Sequence, residues 1–253
     1  MKFRNFLALI IVAVFAFIIF QAFTIVPAAG EITINKFGQA DLSNRTASRY
    51  INKNVNSDSK KVIYKESSNL ESGSANIVTS VVANYRSFDT LGEITVLFLA
   101  AAGIAIVLNL EKSEKSRFAA KEASLILNTG IKIIFPLLLL AGAYIFIHGH
   151  LSPGGGFQGG AVIATAFLLK MLADYKFEIK EKSITLVESA AGIVFVGLGL
   201  YGLITRGSFL ENFLATGTVG ELFSGGTIAV IYTAIAFKVG AELTNIVKSL
   251  IEA

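Results

Sequence analysis

Phe6–Phe23 reads FLALIIVAVFAFIIFQAF, and runs of the same character return at Leu91–Leu108, Leu125–Ile147, Phe157–Ala173, Ile184–Ile204 and Gly226–Val247. Each is close to the roughly 20 apolar residues that a helix needs to cross a bilayer. Inside hydrocarbon the backbone must satisfy its own hydrogen bonds, so runs like these become helices. The expected fold is all-α, an integral membrane helical bundle of about six transmembrane helices. Of 253 residues, 53% are hydrophobic and only 16% are charged, and the charges gather between the runs. A mean hydropathy of +0.65 excludes an ordinary soluble domain.

The first run has Lys2 and Arg4 ahead of it and PAAG at Pro27–Gly30 behind it, as a cleaved signal would. Its apolar core is longer than a signal usually has, which predicts a retained helix. Residues 24–75 are polar and form a long loop outside the membrane, with a short amphipathic helix expected within Ala40–Asn54. Asn76–Thr90 is a less apolar lead-in that could continue the second span toward water.

Charge in the short connections sets the orientation. Lys112, Lys115, Arg117 and Lys121 lie in one connection, and Lys176, Lys180 and Lys182 in another. The intervening connection His148–Gly156 carries no Lys or Arg. Both termini are therefore expected in the cytoplasm, in a multi-pass protein of the cell membrane. A net charge of +4 follows from the same rule and gives no reason to expect nucleic acid. Without cysteine, thiolate clusters, Cys-type zinc sites and disulfides are excluded.

HGHLSPGGGFQGGA, His148–Ala161, holds the chain's two histidines. As a phosphate loop it fails, because no Lys and Ser/Thr follow the last glycine and no strand precedes the first. His148 and His150 could ligate a metal, but without a nearby cysteine or carboxylate they make a poor site, and polar capping of a helix end is the simpler reading. No cofactor and no metal are expected. Pro153 can end the run before it. Gly155 with Gly159, and Gly156 with Gly160, are four apart, placing two glycine pairs on one face where a neighbouring helix can come close.

Ionisable groups within spans are candidates for ion handling. On a regular helix Arg86, Asp89 and Glu93 share one face. They form either a cation or proton site or an internal salt-bridge cluster. Lys132 lies too deep to reach water and faces a polar path or a partner. Lys170 snorkels. Glu188 sits near a helix N-terminus, which favours a carboxylate there. Lys238 and Glu242, four apart, pair. No catalytic triad, HExxH or acid pair in a cleft is visible, so no catalytic residue is expected.

HGHLSPGGGFQGGAV resembles the signature of the MnhB-type subunit of Mrp Na+/H+ antiporters, and NIVTSVVANYRSFDTLGE, Asn76–Glu93, resembles the C-terminal part of the large Mrp subunit. The likeness divides the chain into 1–110, similar to the tail of that large subunit, and 111–253, similar to the MnhB type. Pieces joined in this way resemble the sodium-pumping modules of membrane-bound hydrogenases and sulfur-reducing complexes. The resemblance implies a protein without its own catalytic site that helps move Na+ and H+. Its partners would be other Mrp-like membrane subunits in a hetero-oligomer, and iron–sulfur redox subunits of the hydrogenase or sulfur-reductase type. The alternatives are a component of a free-standing Mrp antiporter or a structural assembly component. The resemblance also implies a role in ion transport for Asp89 and Glu93.

Overall fold

The computed structural model describes residues 46–54, 62–111, 123–174 and 176–252, with residues 10, 12–14, 16 and 17. The run Phe6–Phe23 and the basic connection after Glu111 fall largely outside that set. Among the described residues there are helices and one isolated antiparallel bridge, Ser68 to Thr218, and no strands. Tyr50–Ala253 forms one compact unit.

The helices among the described residues include α1 (Thr46–Asn54), α2 (Ile77–Ser80), α3 (Ser87–Glu111), α4 (Leu125–Ile147), α5 (Gly156–Ala173), α6 (Glu181–Arg206) and α7 (Ile228–Glu252). The last five are long and apolar enough to cross a membrane. They coincide with the five later apolar runs. The short polar helix expected within Ala40–Asn54 is present as α1.

The lead-in does not continue α3. It forms α2 and then a wide turn of π-helix, Val81–Tyr85, which ends at Arg86 with φ −127° and ψ 37°. The Arg86 amide donates to the Val81 carbonyl at 2.7 Å, and the Thr90 hydroxyl donates to the Val82 carbonyl at 2.7 Å. The first is the i→i−5 bond of the π-turn itself, and the second gives the Val82 carbonyl a side-chain donor. Arg86 therefore lies outside the helix of Asp89 and Glu93, and the expectation of one regular helical face fails for it.

Helix α7 is the centre of the bundle and packs on α3, α4, α5 and α6. Its composition explains this position. Ala234, Ala236 and Gly240 keep its surface narrow, and Ile228, Ile231, Ile235 and Val239 fill the spaces beside them. Among the described residues the outer faces of α3 and α4 are exposed, with Val96, Leu99, Ile133 and Leu137 more than half exposed.

Glycine brings α5 close to two neighbours. A methyl at Gly156 would sit 2.6 Å from Ile235 Cβ, and one at Gly160 would sit 2.8 Å from the Ala236 carbonyl oxygen, both on α7. A methyl at Gly159 would sit 2.8 Å from the Gly142 carbonyl oxygen on α4. Gly156 and Gly160 thus serve α7 and Gly159 serves α4, so the four glycines do not share one face. Adjacent positions on a helix differ by about 100°, which is enough to turn Gly159 toward α4 while Gly156 and Gly160 face α7. Gly155 precedes the helix as its N-cap.

Candidate functional site: a clamped junction and a buried charge triad

The glycine turn after α4 and the segment around Asn76 meet in space. His148 caps α4, its Nδ1 3.1 Å from the Tyr144 carbonyl and its ring stacked on the Tyr144 ring. The turn that follows exposes backbone carbonyls with no helical donor. Side chains from the Asn76 segment supply donors. Thr79 donates to the Gly149 carbonyl at 2.7 Å and Ser74 to the His150 carbonyl at 2.7 Å. The Asn76 amide group reaches both the Gly149 and Ser152 carbonyls at 3.1 Å, while its oxygen caps α2 through Val78. Tyr232 on α7 completes the set by donating to the Thr79 hydroxyl at 3.1 Å. Glycine at 149 is required by the tight approach, because a methyl there would lie 2.7 Å from the Tyr232 ring.

Sequence reasoning missed Ser74, Asn76 and Thr79. The available signal was a cluster of small hydrogen-bonding residues before a short helix, which resembles any N-cap.

His150 lies beneath this clamp. It is fully buried against Gly225, and its ring nitrogens have no partner at hydrogen-bonding geometry, although the backbones of Glu221 and Leu222 are nearby. Burial therefore holds its pKa below the ordinary 6.5, and the neighbouring His148 acts in the same direction. A depressed histidine contributes stability above its unfolded value and loses it as pH falls through the folded one. The clamp is expected to loosen below about pH 6.5. Hydrogen exchange in residues 62–80 should accelerate there in the wild-type protein, and His150→Gln should remove that pH dependence. Equal acceleration in the variant would refute the assignment.

The intramembrane charges fall into two groups. Arg86 and Asp89 form an ion pair at 2.6 Å, more than half exposed at the start of α3. Glu93, one turn further, is exposed and makes no ion pair among the described residues. Lys132 is also exposed, on the outer face of α4. Pro136 stands four residues later inside the same helix and has no N–H to give the Lys132 carbonyl.

The second group is buried. Lys238 Nζ lies 3.3 Å from Glu242 Oε2 on α7 and 3.6 Å from Glu188 Oε1 on α6. Side-chain exposure is 11% for Lys238, 17% for Glu188 and 2% for Glu242, so all three are largely removed from solvent. The Phe98 ring of α3 lies 5.4 Å from the ammonium. Glu242 Oε1 is buried without a hydrogen-bond partner. Glu188 therefore joins a pair that spacing alone places on one helix. Lys170 is bound to Asp174 at 3.1 Å at the end of α5. Among the described residues no cluster of three or more His, Cys, Asp or Glu side chains could hold a metal ion.

Residues 126–245 match the family described as a domain related to the MnhB subunit of Na+/H+ antiporters, and residues 37–122 match the MbhE family of MBH subunits. The Methanocaldococcus jannaschii protein MJ1307 is 30% identical over 201 residues, covering 67% of this chain and 74% of that one. A chain of the membrane-bound sulfane sulfur reductase, an archaeal respiratory membrane complex, is 38% identical with a TM-score of 0.66, and the match covers 98% of each. A chain of the Mrp complex from Dietzia sp. DQ12-45-1b shares the fold at a TM-score of 0.61 and 23% identity; the match covers 99% of this chain and 26% of that one. Five helices among the described residues that are long and apolar enough to cross a membrane, together with these relatives, mark a multi-pass membrane protein. The chain belongs to the family of membrane proteins carrying a domain related to the MnhB subunit of Na+/H+ antiporters, here preceded by a segment that matches the MbhE family.

Proposed function

We infer that the chain is one component of an Mrp-like Na+/H+ antiport module, without a catalytic site of its own, working in a respiratory complex of the sulfur-reductase or membrane-bound hydrogenase type. The observation that carries this reading is the polar spot on the outer face of α4. Lys132, exposed among the described residues, and its carbonyl, deprived of a helical donor by Pro136, lie within a helix long and apolar enough to cross a membrane. Lipid cannot satisfy either group, so a polar partner or a hydrated path must. Asp89 and Glu93, also exposed on α3, ask for the same cover. Other membrane subunits are that cover, and the ions move along the seam between them. Close likeness over the whole length to a chain of a respiratory complex supports the redox-driven setting, in which iron–sulfur subunits are further partners.

The segment up to residue 110 acts as the counterpart of the large Mrp subunit's tail, and the remainder as the MnhB-like part. The clamp between Asn76 and the glycine turn holds them in register. Both termini lie in the cytoplasm, and the clamp faces outward.

Asp89→Asn and Glu93→Gln test the function. Na+/H+ antiport in inverted membrane vesicles should be lost while the complex assembles at the wild-type level. Unchanged antiport would overturn the reading. Failed assembly with antiport preserved in the residual complex would reduce these residues to a brace.

A further inference from the structure

The triad on α6 and α7 has an unbalanced charge. Glu188 and Glu242 bring two carboxylates to the single ammonium of Lys238, within two membrane-spanning helices. The charged groups that face Glu242 are Lys238 and Glu188. Among the described residues no further charge from the other helices packed on α7 compensates: α3 presents the Phe98 ring, Lys170 of α5 is engaged by Asp174, and Lys132 of α4 is exposed. With all three groups ionised, the site would hold one net negative charge away from water. Buried charge without a counter-charge is strongly disfavoured, and the usual resolution is a proton or a bound cation.

Atomic detail separates these two. Three of the four carboxylate oxygens belong to the glutamates' contacts with Lys238 or to the partly accessible Glu188, and only Glu242 Oε1 is both buried and without a partner. A metal ion would need several oxygens converging there. The neighbours of the Lys238 side chain include the Phe98 ring and Gly192, whose added methyl would lie 3.8 Å from Lys238 Cδ. Those are carbon surfaces, suited to a proton and not to a hydrated cation.

The geometry points to a one-proton binding site formed by Glu188, Lys238 and Glu242, with the proton held on Glu242 Oε1 and the ammonium set between the Glu188 carboxylate and Glu242 Oε2. The site rests on the reading of the chain as part of an antiport module and gives that module a proton-binding station on this chain. When the proton leaves, Lys238 stays as the only counter-charge for both glutamates. Its position between α6 and α7 then responds to the change, because 3.3 Å and 3.6 Å are both within reach of one flexible ammonium.

Infrared difference spectra of the purified complex, recorded between acid and alkaline buffer, read this directly. The wild type should show a carboxylic-acid C=O band that Glu242→Gln abolishes. Glu188→Gln leaves one carboxylate for one ammonium and should abolish the same band without altering Glu242. It keeps the test valid if Glu242→Gln does not assemble. A band that survives both substitutions, or no band in the wild type, overturns the proton site. So does a signal that depends on Na+ and not on pH. None of these results depends on the Asp89→Asn antiport assay: antiport lost there with no band here would sink the proton site and leave the module reading intact.

Discussion

Lys238→Met is expected to destabilise the protein by about 3–5 kcal/mol, the usual cost of removing one partner from a buried ion pair. The substitution keeps the length and apolar bulk of the stem, so packing against Phe98 and Gly192 is retained. What remains is the Glu188 carboxylate beside Glu242 with no cation between them. The thermal midpoint of the detergent-solubilised complex should fall sharply, and the yield of assembled complex with it. Adding Glu188→Gln and Glu242→Gln to the same chain should restore most of the loss, since neutral amides need no counter-charge. A triple variant as unstable as Lys238→Met alone would show that the damage is steric, and a Lys238→Met protein as stable as wild type would show that the three groups do not interact.

Gly160→Ala should be markedly harmful to the packing of the bundle. The added carbon would meet the Ala236 carbonyl oxygen at 2.8 Å and the Gly240 nitrogen at 3.0 Å, and both belong to the backbone of α7. Backbone cannot rotate away as a side chain does, so α5 and α7 must separate. Overpacking of this kind costs about 1–3 kcal/mol. Gly142→Ala makes a useful contrast, because its nearest neighbour is Cγ1 of the Ile163 side chain at 2.8 Å, with the Gly159 carbonyl oxygen next at 3.1 Å. The loss there should be smaller. Thermal melting of the two variants checks the order, and a larger loss for Gly142→Ala would contradict the account of close helix approach.

The spans are legible in the sequence because bilayer thickness imposes a length on every apolar run. Leu125–Ile147 matches α4 end for end. Contact across helices is less legible. Lys238 and Glu242 are four apart, and helical spacing alone brings them together. Glu188 lies fifty positions earlier, and its place beside Lys238 depends on how α6 leans on α7, which no local pattern encodes. The same limit hides the clamp: Thr79 and Gly149 meet only because α7 brings Tyr232 and the glycine turn to one end of the bundle. Arg86 departs for a different reason. Its place on the arc assumes a regular helix, and the π-turn before it shifts the register. The glycine spacing of four is correct, but the two pairs do not share a face, since a step of one residue turns a helix by more than a quarter of a circle.

Charge placement is what ties fold to function. The buried groups on α6 and α7 bring two carboxyl groups to one ammonium within the chain, whereas Glu93 and Lys132 are exposed without an ion pair among the described residues, and Asp89 is exposed with only Arg86 beside it. The most direct test is to purify the chain through an affinity tag from its native membranes, reconstitute what comes with it into liposomes, and record proton movement after a sodium jump. The account predicts several co-purifying membrane subunits and a sodium-driven proton flux that Glu93→Gln removes. A chain that elutes alone, or an assembled complex whose proton flux ignores both sodium and Glu93, would contradict it.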